Sequence, residues 1–151
     1  MTKFDNMGGF ISADFVHRDE INYFATFGST CNVSLKGDLK WKKADMKHGG
    51  LTITVTPKSA DAGRYFEIKG TITIKSDSSD EERLLLRRLE LKPYILIRYQ
   101  TPDKVYHVAG TDEYPLECTL KPLTPNKPSG FNGYELSFEG KQLFIPPVLN
   151  I

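Results

Sequence analysis

The stretch Leu51-Thr52-Ile53-Thr54-Val55-Thr56-Pro57 alternates an apolar with a hydroxyl-bearing side chain at every step until the proline. A period of two places one set on each face of a pleated strand, so Leu51, Ile53 and Val55 are expected inside and the threonines in water. Pro57 has no N–H to give a ladder and is expected to end the run. The same rhythm spreads outward. Within 66–74, Phe66, Ile68, Ile72 and Ile74 share a face opposite Glu67, Lys69, Thr71 and Thr73. Leu116, Cys118 and Leu120 alternate with Glu117, Thr119 and Lys121, and Tyr134, Leu136 and Phe138 repeat the pattern further on. Residues 21–27 and 31–35 are weaker candidates of the same kind. One face for a core and one for water is how antiparallel sheets read. Residues 94–99 are apolar through their first half, which predicts a central strand buried on both faces. Thr101-Pro102-Asp103-Lys104 is a turn with proline at its second position, so 94–99 and 105–109 are expected to form a hairpin.

One segment departs from this period. Ser78-Ser79-Asp80-Glu81 has a serine at a possible N-cap with a glutamate three residues on, the spacing of a capping box. Leu85, Leu86 and Leu89 then fall on one helical face, and Pro93 forces the residue before it out of the α region. A single helix of about 79–91, laid across the sheet, is expected. Asp80 and Glu81 in its first turn and Arg87 and Arg88 towards its end complement the helix dipole. The expected class is therefore mainly β: an antiparallel β-sandwich or open barrel with one packed α-helix.

The chain has 151 residues, the size of one domain with one core, so 1–151 reads as a single unit. Hydrophobic residues make up 39% and charged residues 26%, which excludes a disordered chain. Twenty basic and 19 acidic residues leave a net charge of +1, which argues against a nucleic-acid coat or a polybasic membrane binder. The first nine residues contain no apolar core of a secretory signal, and no apolar run approaches the roughly 20 residues of a membrane span. A soluble cytoplasmic location is the expectation. Cys31 and Cys118 have no second Cys or His at ligand spacing and read as small buried hydrophobes, or as a disulfide if their strands are neighbours.

Signatures of chemistry are sparse. His17, His48 and His107 are far apart, and no pair has zinc spacing. Asp14 and His17, followed by Arg18-Asp19-Glu20, form the densest ionisable group of the first third. It could supply a base, but reads more simply as a solvated strand end. His48, in Met46-Lys47-His48-Gly49-Gly50, reads as a surface residue of a turn-like segment, as does Asp61-Ala62-Gly63 of a turn. No nucleophile elbow or phosphate loop is present, so no catalytic residue, no metal ligand and no cofactor site is assigned. Lys36, Lys40, Lys42 and Lys43 around Trp41 could grip a nucleic-acid backbone, but Asp38 and Asp45 in the same window favour a Trp anchor with solvated lysines. Two segments look unable to bury themselves. Residues 121–133 form a Pro-rich loop with Pro122, Pro125, Pro128 and Phe131, and the tail 144–151 carries Phe144, Ile145, Val148 and Leu149 around Pro146-Pro147.

The order of features across about 64–144 resembles a known kind of protein. A strand with a glycine leads to an acidic-start helix, a hydrophobic strand and a hairpin into Val108-Ala109-Gly110-Thr111-Asp112-Glu113-Tyr114-Pro115-Leu116. A loop then ends in Asn132-Gly133-Tyr134-Glu135-Leu136-Ser137-Phe138-Glu139-Gly140. This is similar to small structural proteins of prophage tail modules, of tail-tube-like type. The resemblance implies a β-sandwich or open barrel with one helix. It also implies assembly into rings, often hexameric, by strand or loop pairing between copies and alongside other tail proteins, first in the cytoplasm and then in a virion. Under that reading Pro122, Pro125, Pro128, Phe131, Phe144, Ile145, Val148 and Leu149 are the expected subunit contacts, unless the tail packs back on its own sandwich. The competing expectation is a monomeric β-sandwich binding a small ligand or carbohydrate, its cleft lined by Tyr23, Phe24, Phe27, Tyr65, Tyr99, Tyr106, Tyr114 and Tyr134.

Overall fold

A computed structural model describes residues 12–43, 46–75, 80–123 and 133–149. Among them the chain forms one open sheet of eleven strands and a single α-helix, the mainly β class that the alternation predicts. The strands are β1 (Ser12–His17), β2 (Ile21–Phe27), β3 (Thr30–Leu35), β4 (Lys42–Lys43), β5 (Met46–Ala60), β6 (Gly63–Lys75), β7 (Tyr94–Gln100), β8 (Tyr106–Ala109), β9 (Leu116–Leu123), β10 (Gly133–Gln142) and β11 (Val148–Leu149). The helix α1 spans Asp80–Leu91. The residues of its expected serine cap lie outside the described part of the chain.

β7 organises the sheet. β1 runs antiparallel along one side of it, from Ser12 opposite Gln100 to His17 opposite Ile95. β8 and β9 share the other side, β8 against Ile97–Gln100 and β9 against Tyr94–Ile95. Two wings leave from there: β8-β11-β3-β2 and β9-β10-β6-β5. Alternation along β1 and β7 feeds two cores. Ala13, Phe15, Ile95, Ile97 and Tyr99 join Ile68, Ile72, Leu136 and Phe138 of the second wing, with Leu89 and Leu85 of α1 closing that side. Val16 and Leu96 point the opposite way, to Ile21, Cys31 and Val108, with Phe24, Val33, Trp41 and Leu149 around them. A strand that feeds two cores has no polar face, which is why 94–97 reads as continuous apolar sequence.

The loops follow the expected turn chemistry. β7 and β8 form the predicted hairpin, with Gln100 opposite Tyr106. Gly63 closes the β5–β6 turn at φ +125°, a backbone setting that side chains resist. Gly70 is required for a different reason. A Cβ there would lie 2.2 Å from the Thr52 carbonyl oxygen and 2.5 Å from Cζ of Phe138, so the Phe138 ring occupies the space a side chain would need. Both cysteines are free and buried, in different cores, and burial pushes each thiol up to about 11. They are the small hydrophobes expected, not a disulfide.

Three expectations need correction. Pro57 does not end its strand: β5 continues to Ala60, with Pro57 opposite Phe66. Among the described residues β5 pairs only with β6, and an edge strand tolerates a missing N–H. Residues 46–50, read as a turn around His48, belong to β5, with a register shift between Met46 and Leu51. The Pro-rich segment is shorter than 121–133, because β9 extends to Leu123 and β10 starts at Gly133.

Candidate functional site

The ionisable group at 14–20 is not the solvated strand end its composition suggests. Asp14, His17 and Glu20 are all buried. β1 is an extended strand, so Asp14 and His17 point to opposite faces and do not converge. Asp14 accepts from Arg98, Nε at 3.0 Å and Nη2 at 2.6 Å on the same oxygen. The Arg98 guanidinium sits 5.0 Å from the ring centres of both Trp41 and Tyr106, so Trp41 serves as an anchor. On the other face Glu20 gathers the cations. Lys42 Nζ lies 2.9 Å and 3.0 Å from its two oxygens, Arg88 of α1 reaches it at 3.4 Å, and the His17 backbone N–H donates at 3.1 Å. Arg88 and Lys92 also reach Asp19. This cluster ties the end of β1, the short 3-10 turn Arg18–Glu20, β4 and α1 together. Burial alone would raise the Glu20 carboxyl, but Lys42, the His17 N–H and Arg88 hold it below its ordinary value.

The His17 imidazole is 1% exposed, and neither ring nitrogen has a hydrogen-bond partner among the described residues. Nδ1 stands 3.4 Å from Glu20 Oε1. Burial, then the Arg88 charge, lowers its pKa against the opposing pull of Glu20. His107 is stacked on Tyr99 with centroids 5.5 Å apart, and its Nδ1 is 3.3 Å from the Pro146 carbonyl. No group of three or more His, Cys, Asp or Glu among the described residues is placed to hold a metal. The aromatics do not line one cleft: Tyr99 belongs to one core and Phe24 to the other, while Tyr23, Phe27 and Tyr114 are exposed.

What the structure leaves unpartnered is sheet edge. At β4 the edge is two residues long and carries two lysines, the kind of edge that does not recruit another strand. β5 and β2 are different. Among the described residues β5 pairs only with β6, and its Leu51–Thr56 part carries no charge and no proline. β2 pairs only with β3 and reads Ile21-Asn22-Tyr23-Phe24-Ala25-Thr26-Phe27, also uncharged, with Tyr23 and Phe27 more than half exposed. A groove of about 280 Å³ lies alongside its Phe24–Thr26 part, walled by 111–114, Leu143 and Phe144. The β10 ladder on β6 stops at Gln142 opposite Phe66, whereas the β5–β6 ladder continues to Ala60 opposite Gly63. The residues beyond Phe66 therefore project as a two-stranded arm, and 56–64 are all exposed. An isolated two-stranded ribbon is marginally stable on its own.

The expected contact residues fall in three places. Pro125, Pro128 and Phe131 lie outside the described residues, and Pro122 contributes the described backbone of β9 opposite Tyr134. Val148 and Leu149 form β11 inside the sheet, between β3 and β8, and are half-buried. Of the four apolar tail residues only Ile145 is exposed, and Phe144 is half-buried. The exposed appearance of Val148 and Leu149 in the sequence is thus corrected: they fill a gap that two other strands leave open. The free edges carried a signal in the sequence, namely two uncharged β-rich stretches, Leu51–Thr56 and Ile21–Phe27.

No helix among the described residues is long and apolar enough to cross a membrane. Comparison of the chain with protein-family models, with curated proteins and with solved structures finds no match.

Proposed function

We propose that this protein is a non-enzymatic structural subunit that self-associates, of the phage-tail, tail-tube-like type. The observation that carries the reading is the open sheet whose two terminal strands, β5 and β2, are unpaired on one side among the described residues and present uncharged stretches at Leu51–Thr56 and Ile21–Phe27. Soluble proteins blunt such edges with charge, proline or brevity: β4 is short and charged, whereas β5 carries Lys47, Pro57 and Lys58 only outside its Leu51–Thr56 part. Copies joined head to tail, edge to edge, would cover both edges at once and would close into a ring if the rotation allows. The projecting arm at 57–64 would find in a neighbour the support it lacks in its own chain. The order of features at 64–144 is a second, independent support for the tail assignment.

A second reading has one observation in its favour. On the outer face of the β9-β10-β6-β5 wing, Thr119, Ser137, Thr71 and Thr52 stand directly opposite one another across four strands. Thr52 and Thr71 hydroxyls lie 2.9 Å apart. This hydroxyl row lines a groove of about 440 Å³ with Glu117, Glu139 and Lys69, a surface able to bind a polyhydroxylated ligand such as a saccharide.

Light scattering across a concentration series separates the two readings. The full chain is expected to form ring-sized species, and a chain with Thr52→Lys and Thr54→Lys to remain monomeric with an unchanged circular-dichroism spectrum. A full chain that is monomeric at every concentration and binds oligosaccharide would favour the second reading.

A further inference from the structure

The strand β11 is held in an unusual way. β3 and β8 do not pair with each other. A two-residue strand fills the space between them, parallel to β3 with Val148 opposite Thr30 and Leu149 opposite Cys31, and antiparallel to β8 with Val148 opposite His107. Besides the ladder, main-chain bonds at its start fasten it: Val148 N–H to the Ser29 carbonyl at 2.9 Å and Val108 N–H to the Pro147 carbonyl at 3.0 Å. Pro146 and Pro147 are buried in the slot, and Leu149 packs on the core around Cys31. The root of the tail is fixed separately. The Gln142 side chain accepts from the Gly110 N–H at 2.9 Å and donates to the Phe144 carbonyl at 2.7 Å. Between these two anchorages lies Ile145, 58% exposed.

We propose that residues 145–149 are an exchangeable strand: in the assembly, the slot between β3 and β8 of one copy receives the Pro146–Leu149 segment of a second copy. This rests on the self-association reading and names one of its contacts. The slot is complementary to this tail, since it already holds it, so a neighbour's tail would make the same bonds. Release is local, because a strand of two residues opens at low cost compared with the core. The pivot is set by chemistry: a residue before proline prefers an extended backbone, so the tail swings about Ile145 as an extended unit. Five extended residues reach about 16 Å, enough to cross to an adjoining subunit. Within an assembly, neighbouring tails stand at an effective concentration in the millimolar range, which favours exchange over solution encounter. Exchange also gives Leu143 and Ile145, 65% and 58% exposed, a subunit boundary to cover.

The register supplies the test. Leu149→Cys places a thiol directly opposite the native Cys31, at a spacing that a disulfide can bridge, while Cys118 is buried in the other core. The variant is allowed to assemble, its mass is read by light scattering, and it is then oxidised and run denatured without reductant. Exchange predicts a ladder of covalent oligomers from assembled samples, with cross-linked monomers from dilute ones. A large mass that yields only cross-linked monomers overturns exchange and leaves the assembly reading standing. A monomeric mass with only cross-linked monomers overturns both. Should Leu149→Cys fail to fold, a fluorescent peptide of residues 143–151 added to the unaltered chain before assembly decides: incorporation is expected, and its absence overturns the proposal.

Discussion

The strand pair β1–β7 and the ribbon β5–β6 contain similar proportions of β-favouring residues, yet they differ sharply in burial. Ile95, Leu96, Ile97, Ala13 and Val16 have no exposed surface at all. The pair is flanked by two cores, its Asp14 is matched by Arg98, and Glu20 just beyond β1 is matched by Lys42 and Arg88. The ribbon begins in the same core, with Leu51, Ile68 and Ile72 buried, and ends towards solvent, where 56–64 are all exposed. Length without a second layer yields a strand that is formed but unspent. The difference teaches that hydrogen bonding makes both regions strands, and burial decides which of them is available to a partner.

The largest expected effect lies in the pair. Ile97→Ala removes a side chain from the centre of the first core and should cost about 4 kcal/mol in urea unfolding, whereas Val55→Ala on the half-buried ribbon should cost about 1 kcal/mol. Equal losses would erase the contrast. Gly70→Ala comes next, because the added methyl must displace the Phe138 ring or the Thr52 carbonyl. A loss of about 3 kcal/mol is expected by the same measurement.

A smaller effect should appear in pH. His17 is neutral when folded because burial and Arg88 lower its pKa, so below its ordinary value of 6.5 the unfolded chain takes up a proton that the native chain refuses. Stability is therefore complete above pH 6.5 and falls as the pH drops below it. Glu20 has a lowered carboxyl pKa and contributes in a separate window, its stabilisation being lost as the pH falls below about 4.5. Urea midpoints from pH 7.5 to 5.5 should fall for the unaltered chain and fall less for His17→Gln. Parallel curves would remove His17 from the account.

How much of this was legible follows the range of each signal. The strands 51–56, 66–74, 94–99 and 116–121 and the helix were readable because period and breakers are local properties. Where β5 really ends was not, because Pro57 is tolerated only by a strand lacking a neighbour on that side, and neighbours are set by the whole fold. The burial of Asp14, His17 and Glu20 was hidden for a related reason. Acidic residues and a histidine suggest water until Arg98, Lys42 and Arg88, between 22 and 84 positions away, are brought to them. The role of Val148 and Leu149 depends on a parallel pairing with Thr30 and Cys31, which no short-range pattern announces. An apolar tail in sequence looks like surface for a partner, and in the fold it is first of all a missing strand.

The central claim is that the free edge of β5 is where copies meet. Amide hydrogen exchange read by mass spectrometry, on dilute and on assembled chain, tests it most directly. Residues 94–100 should be protected in both samples, and 51–60 should gain protection of at least tenfold only on assembly. Unchanged exchange at 51–60 in a sample that scatters as an oligomer would contradict the account.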